Sequence, residues 1–516
     1  MVAAWVSVKL LIFCINNGLH MVPFVTKWMQ TQRCDITETA SLRCVIRGSY
    51  VRDLLRYHMH FHQVWITACL APLWLGLTAL SQRKDIMVDI AARVWNHKWK
   101  IDPIVRSLID TDFYKLLMCQ SVFRNKPDAQ VTFSLINRSK HIRLADLVDE
   151  GELREQLDHI RSLSLSRGES TWMRGNTFYG KRQMFTPEFM DWFENLRLPP
   201  YHLEKVDGQY ELTFEGSWPE VMLWEIPALA VLMELRGRAV LGNMGRFELE
   251  VLYARAKTKV WEKVETLRTL PDLKIADFGT RRRHSHLWQD WCVQAMSEGL
   301  GDNFIGTSNC LIAKNRDLPA IGTNAHELPM VYAALAPDDA ALAQSPYDVL
   351  ADWQAEHDGN LRIILPDTYG TQGFLDRAPD WLAGWTGIRV DSGDPATGAE
   401  TAINWWKARG EDPTKKLVIF SDGLDTDKIV ELQQQFAGRV RVSFGWGTML
   451  TNDFKGLTPD DSLAPFSLVC KAISANGKPT VKLSDNPNKA MGPASEIARY
   501  KRVFGVGEQE KVEVLV

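Results

Sequence analysis

From residue 273 onward the apolar positions fall into a repeating rhythm: a short apolar run, a polar or glycine-bearing turn, then a stretch with helical period. The runs are Lys274 to Phe278, an element around Asn303 to Ile305, Ala320 to Ile321, Arg362 to Leu365, Gly387 to Val390, Leu417 to Phe420, Val440 to Phe444 and Ser467 to Cys470. Such alternation predicts parallel strands joined by crossover helices, and with about eight strands it predicts an irregular barrel. Upstream, residues 100–215 mix helical stretches with short strands such as Val131 to Ile136 and Tyr210 to Phe214, the pattern of a mixed α/β domain. Two long helices follow. Pro219 to Arg236 is apolar almost all round and should be buried, whereas Glu248 to Leu267 alternates apolar and charged positions.

The expected organisation is therefore an N-terminal extension over residues 1–86, a mixed α/β domain over 87–245 that shares the C-terminal segment 476–516, and a β/α barrel over 246–475. A chain of 516 residues with 45% hydrophobic content is long enough for two or three such units. The formal net charge of −3 argues against a general nucleic-acid binder, whose basic footprint would dominate the balance. Small-molecule chemistry is the better expectation.

That average conceals a boundary. Residues 1–86 hold nine Lys and Arg against four Asp and Glu, and the remainder holds 51 against 59. The front also carries Cys14, Cys34, Cys44 and Cys69, the trio His58, His60 and His62, and the apolar run Val64 to Leu80. A membrane anchor, a metal-binding appendage and an extension without a part in the chemistry all compete for it. The run is short for a span and no CxxC completes a metal site, so the extension is favoured, with translation from Met87 as a hypothesis and no membrane expected. Past it, Cys119, Cys292, Cys310 and Cys470 are too scattered for a disulfide framework, which fits a reducing cytoplasm.

The unusual residues gather at the carboxyl ends of the barrel runs, where barrels place their chemistry. In Ala320-Ile321-Gly322-Thr323-Asn324-Ala325-His326-Glu327, Asn324 is expected to cap a helix and Glu327 to complete a capping box, which leaves His326 neutral near the positive end of the helix. A neutral histidine facing a phosphate site is a potential phosphoryl acceptor. Arg281, Arg282 and Arg283 are either a solvated helix start or an anion clamp. Gly306-Thr307-Ser308-Asn309 lets backbone amides approach a ligand; Asp391 and Asp394, with Arg389 beside them, can hold magnesium and sugar hydroxyls. Gly423 lies in a further polar turn, and Gly445, Gly447 and Thr448 suit a phosphate at a helix start.

With Thr111-Asp112-Phe113-Tyr114, Phe278-Gly279-Thr280-Arg281-Arg282, Gly306 to Asn309, Gly322 to Glu327, Val390 to Asp394 and Ser421-Asp422-Gly423 in that order, residues 100–505 resemble nicotinate phosphoribosyltransferases of the proteobacterial kind. The resemblance implies an α/β fold with a mixed α/β N-terminal domain plus an irregular β/α barrel of the type II phosphoribosyltransferase kind. It implies magnesium-dependent transfer of ribose 5-phosphate from phosphoribosyl pyrophosphate to nicotinate, the entry step of NAD salvage, with ATP hydrolysis coupled through a phosphohistidine. By motif position His326 would be that phosphohistidine, and Tyr114 and Phe278 would sandwich the pyridine, Tyr114 reaching in from the partner subunit of a homodimer.

On the same resemblance, Arg389 with magnesium would serve the pyrophosphate, Asp391 and Asp394 the ribose or metal waters, Arg281 or Arg282 the anions, and Gly445, Gly447 and Thr448 the 5-phosphate. The metal itself would be held mainly by pyrophosphate and water; no protein ligand is assigned, and Asp391 is a candidate. The related nicotinamide enzyme carries an acidic residue where Ser308 stands, so serine points to nicotinate. Nicotinamide and quinolinate phosphoribosyltransferases remain alternatives, as do a Schiff-base lyase using Lys471 and a barrel that binds without turnover.

Overall fold

The computed structural model describes residues 103–357 and 361–507; the His trio, the run Val64 to Leu80 and the other features of residues 1–86 lie outside the described residues. In chain order the strands are β1 (Gln130–Asn137), β2 (Thr177–Phe178), β3 (Lys181–Arg182), β4 (Tyr201–Val206), β5 (Gln209–Ser217), β6 (Ile275–Asp277), β7 (Phe304–Thr307), β8 (Ile363–Ile364), β9 (Gly387–Val390), β10 (Leu417–Phe420), β11 (Arg441–Trp446), β12 (Leu468–Ala475) and β13 (Lys478–Pro479).

Six strands form a wholly parallel sheet in the order β7-β6-β11-β10-β9-β8. All four residues of β9 are buried, as expected where crossover helices cover a sheet. Ala320 extends the β7 edge by one parallel bridge to Thr307. The gap from there to β8 is spanned by a side chain, not a ladder, with Asn324 Nδ2 donating to the Ile363 carbonyl at 3.2 Å. The barrel is irregular in that specific sense.

The last predicted barrel strand goes elsewhere. Ser467 to Cys470 leads into β12, which runs antiparallel to β1 with Cys470 opposite Leu135, inside a second sheet ordered β13-β12-β1-β5-β4. A short apolar run says that a strand is buried but not which neighbour it takes. The barrel therefore ends before residue 468, and both ends of the described chain build the antiparallel sheet.

Four helices carry the rest of the argument: α1 (Phe113–Asn125), α2 (Glu225–Leu241), α3 (Arg246–Leu267) and α4 (Glu327–Leu335). α2 is buried continuously from Glu225 to Gly237, as its all-round apolar sequence requires. Among the described residues no helix is long and apolar enough to cross a membrane, and Cys119, Cys292, Cys310 and Cys470 are buried free thiols.

The two sheets are tied through buried charge. Lys115 of α1 lies 2.5 Å from Glu225 at the start of α2 and pairs with Glu327 at the start of α4. Lys471 of β12 reaches the other oxygen of Glu225 at 3.0 Å, and the Trp218 indole donates to the other oxygen of Glu327 at 2.7 Å. Both carboxylates sit in first turns, where the helix field favours negative charge. Removing one partner of such a cluster strands the others without water. Lys115→Met should cost about 3–5 kcal/mol in urea unfolding at pH 8, and less at pH 5, where a stranded carboxylate can take up a proton; a loss below about 1 kcal/mol at pH 8 would show that the cluster is dispensable.

Candidate active site

A cavity of about 170 Å³ opens at the carboxyl ends of the parallel strands, and its wall includes Tyr114, Phe278, Arg281, Arg282, Ser308, His326, Arg389, Asp391, Gly423, Gly445, Gly447 and Thr448. Asp394 stands apart. Its exposed carboxylate caps the helix Pro395–Ala408, accepting from the Thr397 amide at 2.8 Å, so a residue assigned to ribose or metal is spent on a helix end. Arg283, third of the arginine run, is fully buried and forks onto Asp110 at 2.7 and 3.0 Å, while Arg281 and Arg282 turn to the cavity.

Aromatic residues line part of the wall. Phe278 lies flat on Gly445, where an added Cβ would sit 2.3 Å from two ring carbons. Tyr114 is seated just as closely on Gly322, whose Cβ would meet the Tyr114 amide nitrogen at 2.6 Å. Tyr114 and Phe278 of this one chain both line the cavity. Ser308 follows β7 and donates to Asp112 at 2.6 Å; its carbonyl accepts from the Phe113 amide at 2.7 Å, which fixes the start of α1 beside the slot.

His326 immediately precedes α4, but the capping box is absent. No side chain caps that helix; Asn324 reaches Ile363, and Glu327 turns inward to Lys115 and Trp218. Buried demand for a cation and an indole partner outweighs a cap that water could replace. His326 Nε2 lies 2.9 Å from Asp391 and Nδ1 lies 2.9 Å from the Thr368 hydroxyl. Burial opposes ionisation of Asp391, but Arg389, the His326 hydrogen bond and Lys482 hold its carboxyl well below the usual range. A carboxylate only accepts, so Nε2 carries the proton and Nδ1 accepts from Thr368. Burial first, and then the Lys482 ammonium, push the imidazole down to about 4 against the pull of Asp367 and Asp391. Neutrality was expected from the helix field; burial is a cause the sequence did not show.

The cavity wall carries seven cationic side chains, Arg138, Arg281, Arg282, Arg389, Lys471, Lys482 and Lys489, against the carboxylates Asp112, Asp391 and Asp422. Burial, then the like charges of Arg281 and Arg138, hold Arg282 down to about 9, and burial lowers Lys482 to about 8 although Asp367 lies 4.0 Å away. These groups are short of anions. Lys489 is tied to Asp422 at 2.6 Å and Lys471 to Glu225 at 3.0 Å. Arg138, Lys482 and Lys489 had no signal of their own: they stand at a strand end and in a segment without barrel rhythm, and only pairing of β12 with β1 brings that region to the site.

Among the described residues no group of three or more His, Cys, Asp or Glu is arranged to hold a metal ion. Both Asp391 oxygens are engaged, by His326 and by Ser421 at 2.6 Å. Asp112, Asp391 and Asp422 are the carboxylates on the wall that could meet a hard cation.

The nicotinate phosphoribosyltransferase (NAPRTase) family model matches residues 273–508, and its N-terminal domain model matches residues 109–233. A nicotinate phosphoribosyltransferase from Vibrio cholerae is 30% identical with a TM-score of 0.71 over 79% of this chain and 96% of that one. Another, from Porphyromonas gingivalis, is 28% identical with a TM-score of 0.70 over 78% of this chain and all of that one.

The folded chain resists protonating His326 while the unfolded chain does not, so between pH 6.5 and about 4 the unfolded state binds the extra proton and stability falls as pH falls. Histidine NMR should show the His326 ring neutral down to about pH 4, and His326→Gln should flatten the acid slope of the unfolding free energy. A titration midpoint near 6.5 would contradict the burial account.

Proposed function

The chain belongs to the nicotinate phosphoribosyltransferase family, and we propose that it drives transfer of ribose 5-phosphate onto nicotinate with ATP, through a phosphohistidine at His326. The observation that carries this reading is the convergence, on one cavity wall, of two aromatic residues, an excess of cations and a neutral histidine.

The pyridine nitrogen of nicotinate has a free lone pair, so transfer needs no general base; what it needs is stabilisation of the departing pyrophosphate and of a cationic ribosyl centre. Tyr114 and Phe278 supply faces for the ring. Arg389, Lys482 and Lys489 lie on the cavity wall where charge is required, with Gly445, Gly447 and Thr448 for the 5-phosphate. Magnesium, when bound with the pyrophosphate, neutralises part of its charge. Asp391 lies on the cavity wall and Thr368 does not, which supports Nε2 as the phosphoryl acceptor. A shift to the other tautomer, with Nδ1–H donating to the Thr368 hydroxyl, would free the Nε2 lone pair to attack the terminal phosphorus of ATP as the bond to ADP breaks. Lys482, lowered in the resting site, is placed to gain from that new charge.

The proposal includes a homodimer, although the cavity already contains its own Tyr114, and a cytoplasmic setting, which the buried free thiols support. Nicotinate is preferred over nicotinamide because a substrate carboxylate has Arg281 within reach of the slot and no second acidic group at Ser308.

Purified protein with nicotinate and phosphoribosyl pyrophosphate should form nicotinate mononucleotide, and ATP should stimulate it. His326→Ala should retain weak transfer that no longer responds to ATP; undiminished stimulation removes His326 from the mechanism. Ser308→Asp sets a second carboxylate against Asp112 and should lower kcat/KM for nicotinate about tenfold or more while nicotinamide use falls less. Equal losses for both bases count against Ser308 as the discriminating position.

A further inference from the structure

The hairpin β2–β3 turns through Tyr179 and Gly180, at φ 50° and 75°, between the paired residues Phe178 and Lys181. Two successive positive φ values make a turn of the I′ kind, where asparagine followed by glycine is preferred. A tyrosine in the left-handed region is out of place there, and such an outlier persists only when its surroundings hold it. Here the hydroxyl donates to the Gly322 carbonyl at 2.9 Å and accepts from the Gly322 amide at 2.7 Å. For a buried glycine outside any strand, one phenol does what a neighbouring strand would do. The same ring stacks on Phe113 with centroids 6.3 Å apart.

Gly322 lies in the cavity wall, touches the Tyr114 backbone, and is four residues from His326. We propose that Tyr179 is a positioning residue that, by clamping the Gly322 backbone, sets the place of the Tyr114 wall of the nicotinate slot. The clamp acts from outside the cavity, on backbone alone. This inference rests on the nicotinate reading for its substrate but not for its geometry.

Tyr179→Phe keeps the stack on Phe113 and loses both hydrogen bonds. It should raise KM for nicotinate about five- to tenfold, with kcat and KM for phosphoribosyl pyrophosphate within about twofold. Amide exchange in a peptide spanning residues 319–326 should speed up, with β9 and β10 unchanged. Tyr179→Asn puts the turn's preferred residue in place but gives up the stack on Phe113, so a role in the turn alone predicts wild-type kinetics, whereas a clamp predicts the same KM defect. Wild-type nicotinate KM in both variants, or a loss of kcat at constant KM, overturns the proposal. If the wild type makes no nicotinate mononucleotide the functional reading fails by itself, and exchange at residues 319–326 still decides for or against the clamp.

Discussion

Lys115 has no water to turn to, and the way its charge is met ties together three elements that carry cavity residues. Glu225 begins a helix of the first domain, Glu327 begins the helix after His326, and Lys471 rides on β12. Two cations and two anions close the account within this cluster, so Arg281, 3.9 Å from Glu225, looks for its anion in the cavity. A buried pair of this kind adds little stability over well-packed apolar residues. What it adds is position, since each charged residue is covalently next to, or in contact with, a cavity residue: Tyr114 beside Lys115, His326 beside Glu327, Arg281 against Glu225.

Charge on the whole molecule and charge at the site have opposite signs. The chain carries a formal −3, yet the cavity wall holds four more cationic side chains than carboxylates. A cationic recess in an acidic surface focuses field lines and draws a polyanion to one place. Burial depresses both Arg282 and Lys482, and the neighbouring cations add to it, so the resting site holds positive charge that is poorly solvated.

Strands β9 and β10 coincide with the runs Gly387 to Val390 and Leu417 to Phe420, because a strand inside a parallel sheet is mostly apolar, and the one exception, Arg389, is a residue of the cavity wall. The residues at those strand ends were legible for the same reason: loops that follow an apolar run in a barrel have one destination. Three things were not legible. Pairing partners are decided by tertiary packing, which is why β12 was misplaced. Local caps yield to buried demand: Glu327 abandons Asn324 for Lys115, and Asp394 abandons the cavity for Thr397. Lone charged residues such as Arg138, Lys482 and Lys489 carry no periodic signature, and only the antiparallel sheet explains their arrival.

Mechanically the barrel is a split collar. An unbroken arc of hydrogen-bonded strands bears the load from β7 round to β8, and the split is bridged by one amide, Asn324 to the Ile363 carbonyl, with Arg389 gripping the Asn324 carbonyl at 2.9 Å. Two side-chain hydrogen bonds on Asn324 thus stand where the strand ladder stops. Asn324 lies two residues from His326, so the histidine sits on the lip of the split, beside a side-chain bridge and outside the strand ladder that carries Gly445.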